Sequence, residues 1–196
     1  MDQQWTEITD SIRSSDPDQV NDVIDRLKEM DRDHRLQLFD TGFDDLATIY
    51  SESDDGYVRQ SVVRVVDQVT PGLAVVFILV DEDGATQETR ETIKKRLDTA
   101  AGFLIETLED DDGRVRQSAK RALKDVYRGY EALEETETIA AVASELDSRA
   151  DEYEDKRRDH LLDSKADAEF FCEPVGTRMI ENIHQVARSH DPSSRE

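Results

Sequence analysis

The segment Asp54 to Val69, DDGYVRQSVVRVVDQV, returns 57 residues later, at Asp111 to Val126, as DDGRVRQSAKRALKDV. Both copies hold Asp-Asp-Gly, then Val-Arg-Gln-Ser, then an arginine three residues further on, at Arg64 and Arg121. A chain that uses one acidic turn and one apolar-striped segment twice is constrained to like units packed against one another. A single stripe of this kind cannot bury itself.

Spacing makes both copies helices. Val115, Ala119, Ala122, Leu123 and Val126 recur at three and four residues and fall on one side of a 3.6-residue helix, as do Val58, Val62, Val65, Val66 and Val69. The valine-rich copy carries a propensity cost, so burial must stabilise it. Ahead of each helix, paired aspartates face its positive end, and a glycine permits a sharp turn. A weaker middle unit is expected around Asp81-Glu82-Asp83-Gly84, since Gly84 lies 28 residues after Gly56 and 29 before Gly113, with Ile93 and Leu97 in the slots of Val65 and Val69. The expectation is therefore three hairpins, with Leu73 to Val80 and Ala100 to Leu108 as first helices.

On Asp55, Val58, Arg59 and Val62 to Val66, and on Asp112, Val115, Arg116 and Ala119 to Leu123, the chain resembles the HEAT-repeat superfamily, in particular its short units first noted in phycobilisome lyases. The likeness covers roughly residues 43 to 128. It implies an all-α, right-handed α-solenoid in which Asp and Arg of successive units tie neighbouring turns together. It says little about activity, because such repeats scaffold many functions. The middle unit lacks the Val-Arg pair, and the C-terminal third shows no repeat.

Composition limits the setting. Asp and Glu total 47 against 25 basic residues, a formal net charge of -22, and arginine outnumbers lysine. This resembles the proteomes of salt-in halophilic archaea, where a Debye length of about 3 Å near molar salt screens the self-repulsion. Acidity of this kind describes the solvent as much as any partner. Periodic apolar rows argue against a disordered acidic chain. One cysteine, Cys172, excludes an intrachain disulfide and fits a reducing cytoplasm. No signal peptide is read in MDQQWTEITDSI, and the apolar run Leu73 to Val80 is too short to cross a bilayer, so a cytoplasmic protein without a membrane partner is expected.

Taken in order, residues 1–42 read as an N-terminal helical cap. Trp5, Ile8 and Ile12 share a side, and Asp16-Pro17-Asp18-Gln19 starts a helix buried through Val20, Val23, Ile24 and Leu27. Asp31 to Arg35 reads as a connection, and Leu36 to Phe39 as a turn of helix ending near Gly42. Residues 43–130 are the repeats, opened by Phe43, Leu46, Ala47 and Tyr50. Thr70-Pro71 stops one helix and starts the next. A similar break is expected near Asp98-Thr99. Residues 131–189 read as a helix of some nine turns, capped by Thr136 or Thr138, that either lies across the repeats or pairs with another chain, then a last helix from Thr177 to Ser189. Residues 190–196 are a loose tail.

Signals for chemistry are sparse. His34, His160, His184 and His190 form no zinc pattern with Cys172, which has no basic neighbour to lower its pKa. Asp110-Asp111-Asp112-Gly113 lacks the alternating ligands and the distant glutamate of a calcium loop and reads as a turn. Phosphate loops and serine elbows are absent, so no catalytic residue, metal or cofactor is expected. Charge partition is the feature with functional content. Arg116, Lys120, Lys124 and Arg128 make a row at i+4, with Lys95 from a second basic cluster. This row suits an acidic protein partner or pairing with the acidic helix that follows, and pairing within the chain is preferred. Nucleic acid is disfavoured, because the row is not repeated in each unit. The expectation is a non-catalytic protein-interaction module that uses its second helices. The rivals are a HEAT-like DNA glycosylase and a homodimer joined through the C-terminal helix.

Overall fold

The computed structural model describes residues 3–72 and 87–173. Every regular element among them is a helix: α1 (Gln3–Arg13), α2 (Pro17–Glu29), α3 (Arg32–Glu52), α4 (Gly56–Val69), α5 (Gln87–Thr107), α6 (Gly113–Ala132), α7 (Thr136–Ala150) and α8 (Lys156–Cys172). The all-α expectation is met.

Aspartate caps set most of the boundaries. The carboxylates of Asp16, Asp31, Asp55, Asp112 and Asp155 each accept a backbone N–H from the first turn that follows, which places negative charge at the positive end of the helix. Asp16 adds a bond from the Gln19 amide at 3.0 Å, and Pro17 occupies the first helical position. Thr70 closes α4, its hydroxyl donating to the Val66 carbonyl at 2.7 Å.

Four boundaries differ from the sequence reading. Asp31 starts α3, which runs unbroken through Gly42 to Glu52, so residues 31–35 are no connection. Gly42 is needed inside that helix because the Trp5 indole lies on it, and a Cβ there would fall 2.3 Å from the ring. Helix α5 passes through Asp98-Thr99, where Thr99 returns its hydroxyl to the Lys95 carbonyl and nothing interrupts the backbone ladder. Ile93 and Leu97 consequently share one helix with Ala100 to Thr107, not a second helix of a middle unit. The nine-turn helix is two helices, α7 and α8, folded on each other. Its polar stretch 151–155 is the turn between them, with Asp155 capping α8, and α7 begins after Glu135 without a side-chain cap. The expected first helix Leu73 to Val80, the Gly84 turn, the last helix Thr177 to Ser189 and the tail lie outside the described residues.

Packing joins consecutive helices: α1 with α2, α3 with α4, α5 with α6, and most extensively α7 with α8. The second members also touch in sequence, α2 on α4, α4 on α6 and α6 on α8. The two repeated helices are thus direct neighbours, with no second helix between them. Their apolar rows form the centre of the core, where Val62, Val66, Val115, Ala119, Leu123 and Val126 are all fully buried.

Candidate interaction surface

Residues shared by the two copies do definite work at the turns. Arg59 donates through Nη1 to the Ser53 carbonyl at 3.0 Å, and Arg116 makes the equivalent bond to the Asp110 carbonyl, six residues back in each case. Arg116 adds the Asp111 carbonyl at 3.0 Å and is buried. The repeated arginine therefore clasps its own inter-helix turn.

The turn at 109–112 joins both neighbours. Asp110 accepts from Arg59 and from the Tyr50 hydroxyl of the preceding hairpin, while Glu109 accepts from Arg149 at 2.9 Å and Tyr153 at 3.2 Å in the following one. Asp111 meets Arg157 at 3.4 Å, and Asp112 caps α6 and pairs with Arg114. Each acid of the run has a cation. Hydrogen bonding to Arg114 holds the Asp112 carboxyl down to about 2. Burial would raise Asp110, but hydrogen bonds from Arg59 and Tyr50 outweigh it and leave the carboxyl below its usual range. The aspartates of this run are structural fasteners.

The basic row read from the sequence is not an open surface. Lys120 pairs with Asp163 at 2.6 Å and Lys124 with Asp167 at 3.0 Å, two i,i+4 rows on α6 and α8 zipped together. Arg116 is spent on the turn, Arg128 pairs with Asp125, and Lys95 stands apart and exposed on α5. The preference for pairing within the chain holds for Lys120 and Lys124, with α8 as the acidic partner. His160 sits beside this seam, and burial followed by the charges of Arg116 and Lys120 lowers its pKa. Burial and then Glu169 raise the Cys172 thiol, which discourages the thiolate a nucleophile needs. Trp5 is buried, its indole N–H donating to Asp45 at 2.9 Å, so it lines no cleft.

A different part of the second-helix surface is open. A groove of about 400 Å³ crosses α2, α4 and α6, lined by Ile24 and Lys28, by Gln60, Arg64, Asp67 and Gln68, and by Ser118 and Arg121. Arg64 and Arg121 are the repeated arginines of the two copies, and each faces this groove from its own helix. Arg64 donates to Asn21 at 2.8 Å, and neither arginine forms an ion pair with another described residue. Asp67 lines the same groove, its carboxyl pushed up to about 6 by burial and by neighbouring Asp125. Sequence reading passed over this pair, although the recurrence at 64 and 121 was the available signal.

Comparisons with protein-family models, with curated proteins and with solved structures return no match.

Proposed function

We propose that the protein is a non-catalytic helical-repeat adaptor, a HEAT-like right-handed α-solenoid that binds a protein partner across the face made by its second helices. Sequential contact of α2, α4, α6 and α8 supports the solenoid, since that is how stacked hairpins bury stripes that no hairpin can bury alone. Turn-to-turn ties through Arg59 and Asp110 support the HEAT-like reading, because they join an arginine of one unit to an aspartate of the next. The binding reading rests on one observation: the open groove lies on that shared face and spans three hairpins. The partner contact is accordingly placed at Arg64 and Arg121, away from the paired Lys120 and Lys124. The acid-rich composition suits a cytoplasm of high salt.

The segment read from the sequence as one long helix is a hairpin of α7 and α8 packed on each other, which favours the adaptor reading over a dimer joined along a single long helix. A photo-crosslinking amino acid at Gln68, in the groove, and one at Lys95, on α5, test the proposal in cells of the source organism. Adducts to a discrete protein from position 68 and not from 95 are the expected result. Adducts from 95 alone, or none from either site, would overturn it.

A further inference from the structure

Resting on the reading of the second-helix face as a binding face, we infer that the groove recognises an extended, acidic segment of the partner, with Arg64 and Arg121 each taking one carboxylate.

Three observations carry this. The repeat preserves an arginine at positions 64 and 121, where neither the core nor the turn clasp uses it. Both guanidiniums face the same groove without an ion pair among the described residues, on a chain where most other cations of α4 and α6 are paired. The two helices also stand out in charge against a net of -22. Helix α4 carries Arg59 and Arg64 against Asp67, and α6 carries six cations against Asp125 and Glu131.

Helix spacing then suggests the spacing of the ligand's carboxylates. Packed helices lie about 8–10 Å apart, and a chain extended as polyproline II advances about 3.1 Å per residue with three residues per turn, which brings every third side chain to the same side. Two carboxylates three residues apart on a peptide extended in this way would therefore meet equivalent positions on α4 and α6. Beside the arginines the groove is lined by Gln60, which donates to Ser118 at 3.3 Å, and by Gln68, which donates to Asp67 at 3.0 Å; the amide oxygens and remaining N–H groups of these side chains suit a peptide backbone. That polar lining suits a peptide and opposes a phosphate backbone, whose unbroken negative charge would run past Asp67.

The test is a titration of the full chain at one ionic strength, followed through the Arg side-chain Nε–H resonances. The probes are a short Gly/Ser peptide with two glutamates three residues apart, the same peptide with adjacent glutamates, one with lysines instead, and an oligothymidylate. The Arg64 and Arg121 resonances are expected to move together with the spaced-glutamate peptide. R64Q and R121Q should each weaken binding, by about tenfold when combined, while K95Q leaves it unchanged and all variants keep the wild-type circular dichroism spectrum. No binding at millimolar peptide, equal binding of the adjacent-glutamate or lysine peptide, equal binding of the oligothymidylate, or an unaffected double variant would each overturn the inference. Crosslinking from position 68 that survives in R64Q/R121Q would sink this inference alone and leave the adaptor reading standing.

Discussion

Arg59 grips Asp110 with two parallel hydrogen bonds, Nε to Oδ2 at 2.7 Å and Nη2 to Oδ1 at 3.0 Å, across 51 residues of chain. The pair is largely withdrawn from water, with 17% of the Arg59 side chain and 4% of Asp110 exposed. Removing one partner leaves the other charge buried, which is the costly way to break such a pair. Asp110→Asn is expected to destabilise the fold by about 2–4 kcal/mol in denaturant unfolding, with coupling to Arg59→Gln in a double-mutant cycle. The native carboxyl sits below its ordinary value of 3.8. Its stabilisation is therefore fully present above that pH and lost as pH falls through the native pKa, a dependence that Asp110→Asn should lack. Equal acid sensitivity of the two proteins would contradict the assignment.

The glycines opening the repeated helices look alike in sequence and differ in space. A Cβ on Gly56 would lie 2.1 Å from Asp112 Oδ2 and 3.1 Å from Asp112 Cβ, whereas one on Gly113 meets nothing closer than Arg116 Nη2 at 3.4 Å. Gly56→Ala must push Asp112 off its cap and should cost about 1–3 kcal/mol. Gly113→Ala should be neutral or stabilising by up to about 1 kcal/mol, since it restricts the unfolded chain. Thermal unfolding of both variants checks the asymmetry, and in an Asp112→Ala background the Gly56 penalty should shrink.

Two tyrosines three residues apart on α6 give opposite expectations. Tyr130 donates to Asp98 at 2.8 Å, while the fully buried Tyr127 hydroxyl has no hydrogen-bond partner among the described residues. Tyr130→Phe loses a hydrogen bond to a charged group and leaves the carboxylate less satisfied, a cost of about 1.5–3 kcal/mol. Tyr127→Phe removes a hydroxyl that burial penalises and should change stability by less than about 0.5 kcal/mol, or raise it. Denaturant midpoints falling in the reverse order would contradict this account of the α6 packing.

What was legible in the sequence follows physical locality. Caps such as Asp16-Pro17-Gln19 and the valine stripe of α4 depend on neighbours within a turn or two, and both could be read directly. Continuity was harder. A charged run such as Asp151 to Asp159 fits an exposed helical face as well as a loop, and only the Asp155 cap, whose carboxylate bonds the Arg157 amide, decides between them. At Asp98-Thr99 the analogy with Thr70-Pro71 suggested a break, but no proline stands there to remove a backbone N–H, and Leu97, Ala100 and Ala101 are buried on both sides of one continuous helix. Pairing of the basic row within the chain was preferred from the sequence, but its partners, 43 residues on, could not be named. Asp163 and Asp167 repeat the i,i+4 spacing of Lys120 and Lys124, a correspondence visible only once α6 and α8 are known to be neighbours.

Asp67 sets a pH dependence of the opposite sign to Asp110. Its carboxyl is pushed up to about 6 from 3.8, first by burial and then by Asp125, while Gln68 donates to it at 3.0 Å and offsets part of the rise. A carboxyl whose native pKa exceeds the unfolded one retains its proton longer in the folded state, so its ionisation opposes folding. Below pH 3.8 both states are protonated and the site is neutral in its effect. Stability is lost as pH rises from there through about 6, and above that the penalty is complete at roughly 2–3 kcal/mol. Asp67→Asn should therefore match the wild type near pH 3.5 and exceed it by about that amount at pH 7.5, measured by denaturant unfolding at one salt concentration. Asp125→Asn should recover only the smaller share, because burial is the larger cause and persists without the neighbouring charge. A stability difference between Asp67→Asn and wild type that stays constant from pH 3.5 to 7.5 would mean that the carboxyl titrates normally, as it would if the groove were fully open to water at that point.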